Sequence, residues 1–304
     1  MSRELKYRTK RNGLARRFGT RSTQALAVVA GNLFPYYYVS EYPRSGGTWL
    51  GQMLADYFEI PLPQHSVLPS MRSVVIHNHW GYSSKLRRVF YLYRDGRDVC
   101  TSMYFFCIRA LHQENKGMRN YYRGKLPAAA VQDWTAESAW QHLPEFISVW
   151  ATNPMGCRIT WADHVRQWAF DRPHVATLSY ESLRHDCLAT LEKVIPTHSG
   201  KTIDGSRLSK VIEENSFSKQ SGRQPGQVDN HSFMRKGIVG DWQNHFTREA
   251  GKVFDQHCGE VLQRLGYVSD RDWFQSLSVE NPATDESTDA QQPSDHVVGQ
   301  DAGQ

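Results

Sequence analysis

No apolar run near the start of this chain reaches the roughly 20 residues that a membrane-spanning helix needs. The longest, Ala25 to Ala30 and on to Phe34-Pro35, is too short, and it has no convincing signal-peptide cleavage pattern. Cysteine is scarce: Cys100, Cys107, Cys157, Cys187 and Cys258 form an odd, scattered set without metal-ligand spacing. On a shared helix, Cys100 and Cys107 would stand about 10 Å apart along the axis, too far to bridge. No internal repeat is visible, which excludes a solenoid. These absences argue against a membrane span, a disulfide framework or a cysteine metal cluster. They point to a soluble protein of a reducing, cytoplasmic compartment.

Charge is missing at the two ends in opposite ways. Residues 1 to 21 hold Arg3, Lys6, Arg8, Lys10, Arg11, Arg16, Arg17 and Arg21 against the single Glu4. From Ser278 onward there are Glu280, Asp285, Glu286, Asp289, Asp295 and Asp301 but no Lys or Arg, and almost no large apolar residue. The reading is a basic, partly flexible arm over residues 1–30, a folded domain over 31–277 and a disordered acidic tail over 278–304. The arm could touch nucleic acid or an anionic membrane surface, but a solvated flexible terminus is the more common outcome, and no nucleic-acid partner is expected. With 304 residues, 39% hydrophobic and 12% aromatic, the chain can bury a substantial core.

Between the ends, apolar runs alternate with helical patterns. Tyr36–Glu41, Ser73–His77, Val89–Tyr93 and Val175–Ser179 read as strands. Thr48–Phe58, Val99–Phe106, Trp161–Ala169 and Glu181–Val194 read as helices. This alternation predicts an α/β domain with a central parallel sheet flanked by helices on both faces. Residues 107–150 and 216–233 have no clean period and read as irregular, lid-like segments.

Three segments carry the chemistry. In Tyr42-Pro43-Arg44-Ser45-Gly46-Gly47-Thr48-Trp49-Leu50, a strand stops at Pro43 and a helix starts at Thr48. The glycines allow a ligand close to the backbone, and the first helical N–H groups and Arg44 suit a phosphate or sulfate. The spacing is not the Gly-x-x-x-x-Gly-Lys-Ser/Thr of an ordinary nucleotide P-loop. In Tyr91-Leu92-Tyr93-Arg94-Asp95-Gly96-Arg97-Asp98-Val99, Arg94 and the later Ser102 could hold one phosphate together. The competing reading is a surface Arg–Asp network with Asp98 capping the helix. The third segment, Arg235-Lys236-Gly237-Ile238-Val239-Gly240-Asp241-Trp242, is by itself a basic turn ahead of a helix.

In order and wording these segments resemble the sulfotransferases that use PAPS (3′-phosphoadenosine 5′-phosphosulfate), across most of the folded region. The resemblance implies a P-loop-like fold and sulfuryl transfer from PAPS to a hydroxyl or amine acceptor, leaving PAP, with no metal. It implies that Arg44, Ser45, Gly46, Gly47 and Thr48 hold the 5′-phosphosulfate. Arg94, Ser102, Arg235, Lys236 and Gly237 would hold the 3′-phosphate. Trp49, Tyr180 and Phe217 would surround the adenine, although alone they read as core residues. His79, in Val75-Ile76-His77-Asn78-His79-Trp80, falls where the family carries its histidine base. Trp161, His164 and Trp168 also follow the family pattern, but their spacing is that of a helix core face.

Two departures stand out. Arg44 replaces a lysine common in the family, so it can supply charge but hardly a proton. The stretch from His79 to Arg94 is shorter than in many cytosolic members, which leaves the acceptor pocket open. His77 stands where a lysine is frequent, and with His79 it makes a conceivable metal pair lacking an evident third ligand. A nucleoside-phosphate kinase and a non-catalytic nucleotide- or polyanion-binding protein are the alternative readings. The acceptor class, whether small molecule, glycan or lipid, is not legible.

Overall fold

The computed structural model describes residues 13–30, 33–63, 72–112, 114–200, 202–229, 232 and 235–282. The basic stretch of residues 1–12 and the acidic tail from 283 to 304 lie outside the described residues, and so does any disorder expected of them. In chain order the helices are α1 (Gly13–Ala30), α2 (Gly47–Phe58), α3 (Gly96–Leu111), α4 (Lys116–Arg123), α5 (Ala139–Thr152) and α6 (Trp161–Trp168). They continue as α7 (Tyr180–His185), α8 (Cys187–Val194), α9 (Pro196–Ser199), α10 (Gly205–Glu214), α11 (Phe217–Ser221) and α12 (Arg248–Arg264).

Four strands, β1 (Tyr37–Glu41), β2 (Val75–Asn78), β3 (Val89–Tyr93) and β4 (Val175–Ser179), pair in parallel in the order β2-β1-β3-β4. Their near-continuous apolar character fits a sheet covered on both faces. Val39, Phe90 and Leu92 pack on one face against Leu50, Met53 and Leu54 of α2. Tyr38, Ile76, Val89 and Tyr91 pack on the other with Ala27 of α1 and Trp168 of α6. The expected α/β architecture is therefore present. Trp161, His164 and Trp168 are fully buried, as their spacing indicated.

The elements differ from expectation where capping decides. α3 begins at Gly96 rather than Val99 because the Asp95 side chain accepts the Arg97 N–H at 2.9 Å. The single helix expected over Glu181–Val194 is two, because Asp186 ends α7 and caps α8 through the Ala189 N–H at 2.9 Å. The expected Ser73–His77 strand sits at Val75–Asn78. Residues 107–150 are not mainly irregular: they hold the end of α3, then α4 and α5, and their Tyr122, Trp134 and Trp150 are core residues. Residues 13–30, read as part of the arm, form α1.

One tight contact fixes α3 against α6. A Cβ on Gly96 would meet ring carbons of Trp161 at 2.6 Å, and Trp161 is itself buried between Trp150 and Phe254. Gly96→Ala should therefore cost about 1–3 kcal/mol through overpacking. A urea melt reads this as a lower midpoint with unchanged slope. An unchanged midpoint would mean that the two helices separate freely.

Candidate active site

In this strand order the chain runs from β1 to β2 on one side and places β3 on the other. The crevice at the carboxyl ends of β1 and β3 is therefore the topological switch point, where open parallel sheets bind ligands. The segment after β1 turns into α2 through Gly46, whose φ of 105° lies in the left-handed region. A Cβ there would strike the Tyr180 ring at 2.8 Å, so glycine is required on two counts. Arg44 also has a positive φ, 80°, a strained state for a non-glycine residue.

No side chain of the Gly46 cap closes α2. Instead the Gly47 N–H donates to the buried carboxylate of Glu41, and Ser45 is buried with no hydrogen-bond partner for its Oγ among the described residues. The Arg44 Nε donates to Ser102 Oγ at 3.0 Å, across from α3, and its guanidinium stacks 5.1 Å from the Phe106 ring. Burial, and then the neighbouring Arg109, push the Arg44 pKa down to about 10. Ser102, expected to act with Arg94, is thus joined directly to Arg44.

Arg94 leaves the end of β3 and lies 4.3 Å from the Tyr180 ring. One of its terminal nitrogens donates to Asp98 at 3.0 Å and to the Ile238 carbonyl at 2.9 Å, while its Nε is buried without a partner among the described residues. Asp98 does not cap α3, since that role belongs to Asp95. Its carboxylate instead accepts the Gly240 N–H at 2.9 Å and the Trp242 N–H at 3.0 Å. The second and third sequence segments are joined through this one buried group. Asp95 and Arg97 form a separate ion pair, at 2.7 Å, with Arg97 stacked 3.9 Å from Trp242.

In the third segment, Arg235 is ion-paired to Asp241, and Lys236 Nζ reaches the same carboxylate at 2.7 Å. Burial, with Arg94 nearby, brings the Arg235 pKa down to about 10. Gly237 has a φ of 67°, and a Cβ on it would run into Phe217 at 2.3 Å. Only glycine lets this segment lie flat on that ring. Trp49 stands edge-on to Tyr180 at 6.0 Å, with its indole N–H held by the Asn215 carbonyl at 2.8 Å.

A cavity of about 230 Å³ brings the groups together. Arg44, Gly46, Thr48 and Trp49 line it together with Arg94, Ser102, Arg235, Lys236 and Gly237, and with Tyr180 and Phe217. Ser45 and Gly47 are buried in the same loop. Glu41, Asp98 and Asp241 also line the cavity, and none of the three was singled out from sequence as a site group. The available signal was position: an acid at a strand end, an acid four residues after Arg94, and an acid five residues after Lys236.

His79 lies just past β2, and its Nδ1 is 3.1 Å from the Glu41 backbone carbonyl. A carbonyl only accepts, so Nδ1 carries the hydrogen and Nε2 keeps the lone pair. His77 Nε2 is 2.8 Å from Glu41 Oε1. The third acidic or imidazole group that sequence did not reveal is therefore Glu41: one donor atom from each of Glu41, His77 and His79 lies within 4.8 Å of the others. Burial works against the Glu41 carboxylate, but its hydrogen bond to His77 and the nearby imidazoles hold it below the usual range.

Burial first, and His77 second, lower the His79 pKa. The sign follows: the neutral imidazole persists as pH falls through the ordinary histidine value of about 6.5, and it is lost only at lower pH. NMR titration should place the His79 ring midpoint below that of an exposed histidine. A midpoint at or above about 6.5 would contradict the burial argument.

Comparison with known proteins follows the same lines. The chain matches the sulfotransferase domain family over residues 55–266. It is 28% identical to human sulfotransferase 2A1 over 195 residues, covering 60% of this chain and 59% of that protein. It is 22% identical to rat sulfotransferase 2B1 over 273 residues, 75% of this chain and 71% of that one. The chain thus spans less than two thirds of the 2A1 relative. A structure of mouse sulfotransferase SULT7A1 complexed with PAP shares the fold, with a TM-score of 0.54 at 20% identity over 83% of this chain and 93% of that one. Retinol dehydratase, in a complex with retinol and PAP, gives 0.53 at 17% identity over 80% and 86%. The family match covers well over half of the sequence, and the chain belongs to the sulfotransferase family.

Proposed function

We propose that this protein transfers a sulfuryl group from PAPS to a hydroxyl or amine acceptor. The observation that carries the reading is one crevice that gathers two sets of anion-receptive groups. One is the α2 N-terminus, with Arg44 beside it and no cap from Gly46. The other is Arg94, Ser102, Arg235 and Lys236, which line the same cavity. The residues fit a nucleotide carrying charge at both its 5′ and 3′ positions: Ser45 Oγ and Arg94 Nε are buried polar atoms without partners among the described residues. Such a donor, when bound, supplies an activated sulfuryl group on a phosphate leaving group.

The chain's own residues then have distinct tasks. Arg44 and the first amides of α2 neutralise charge on the departing phosphate, a role that preorganised donors perform without reorganisation. Arg44 keeps its proton and acts through charge and its planar fork. Arg94, Arg235, Lys236 and the Gly237 N–H hold the 3′-phosphate, and Trp49, Tyr180 and Phe217 frame the base. His79 takes the acceptor proton on Nε2 as the new O–S (or N–S) bond forms and the bond from sulfur to the donor phosphate breaks. The PAP in the solved relatives supports this donor class. The acceptor is best sought among small hydroxylic molecules of the kind named in those complexes. The five free cysteines support a reducing, cytoplasmic setting.

Calorimetric titration tests the donor site. PAP should bind much more tightly than 5′-AMP, and Arg235→Ala should weaken PAP far more than adenosine 5′-phosphosulfate. Equal binding of PAP and AMP would remove the 3′-phosphate site from the account. For the base, His79→Ala should keep PAP affinity while turnover falls about 10²–10⁴-fold. Full turnover in that variant would exclude His79 as the base.

A further inference from the structure

The ends of β1 and β2 place three ligand-type side chains around one point at the edge of the donor cavity. His77 Nε2 faces Glu41 Oε1 at 2.8 Å, and the His77 and His79 rings stand 4.9 Å apart at 83° to each other. All three donor atoms fall within 4.8 Å of one another. In a tetrahedral zinc site with bonds of about 2.0–2.1 Å, ligand atoms lie roughly 3.3 Å apart. The triad lies near that spacing: the 2.8 Å pair would open by about half an ångström, and no pair of donor atoms is more than 4.8 Å apart.

The surroundings orient the donors as metal sites do. His79 is anchored through Nδ1 on the Glu41 carbonyl at 3.1 Å, the usual outer contact of a metal-bound imidazole. Glu41 is buried and steadied by the Gly47 N–H. Two imidazoles and one carboxylate, with Glu41 lining an open cavity, are the donor set of zinc sites that retain an exchangeable fourth position. Nitrogen donors favour Zn²⁺ or Co²⁺ over the harder Mg²⁺. Arg44, whose charge is felt at Glu41, opposes a cation here, so the site is exchangeable rather than structural.

We propose that Glu41, His77 and His79 form a reversible site for a divalent ion of the Zn²⁺ or Co²⁺ type, and that its occupancy silences sulfuryl transfer. Binding requires only that His77 Nε2 give up any hydrogen it shares with Glu41, by moving it to Nδ1 or releasing one proton to solvent. The ion takes the His79 Nε2 lone pair, so that nitrogen can no longer accept the acceptor's proton. The silencing half rests on the function proposed above; the binding half does not.

The test is a Co²⁺ titration of the untagged full chain, read by visible absorption. The expected result is a saturable one-to-one band of low-coordinate cobalt, abolished by Zn²⁺ and unmoved by excess Mg²⁺. His77→Ala and Glu41→Gln should each weaken the ion by at least about tenfold. His77→Ala is the decisive variant, because Glu41 also steadies the α2 turn. No saturable band, or a band that survives His77→Ala, overturns the site. Zn²⁺ should also stop turnover, and a chelator should restore it. Turnover unaffected by bound Zn²⁺, or no turnover in the metal-free protein, overturns the silencing half while leaving the spectroscopic result to stand.

Discussion

The crevice concentrates guanidinium and ammonium charge, and the fold depends on how that charge is balanced. Glu41, Asp98 and Asp241 supply the balance, and all three are buried. Each does more than pair with a cation. Asp98 holds Arg94 and two backbone N–H groups, Asp241 holds Arg235 and Lys236, and Glu41 steadies the α2 entry and His77. An ion buried without such partners costs several kcal/mol, so the cations can be kept out of water only because these carboxylates are already in place.

Balance leaves reserve capacity. The α2 N-terminus has one N–H taken by Glu41, and Ser45 contributes a buried hydroxyl that no described residue uses. Arg44 donates to Ser102 through Nε, and it is held there by a strained φ of 80° and the Phe106 ring. Strain of this kind persists only where the surroundings over-determine it, and here a turn and two stacked elements do so.

Much of this was legible in the sequence, for physical reasons. Strands β3 and β4 appear with their observed limits because they are short, apolar and bounded by polar residues. The three charged segments were legible because glycines and cations at fixed spacing carry their chemistry locally, and the cavity gathers them. What sequence hid was non-local. Asp98 looks like a helix-start acid until the chain returns at Gly240, and Glu41 looks like a strand end until His77 pairs with it. Residues 107–150 hid their helices because aromatic residues serve a shared core on several sides, and because α5 carries Pro144, a residue that helix interiors usually exclude.

The bond from Gly240 to Asp98 spans 142 positions of sequence. During synthesis the sheet's central strands can pair long before that bond exists, because β1 to β4 end at Ser179. The cationic crevice cannot close before the chain has passed Gly240, and until then Arg94 and Asp98 lack part of their partner set. Anything that grips both Arg44 and Arg235 in the cavity holds together segments more than a hundred residues apart. Such a ligand acts as a temporary cross-link on the whole domain. At a hundred times its dissociation constant it adds about 2.7 kcal/mol to the folded state.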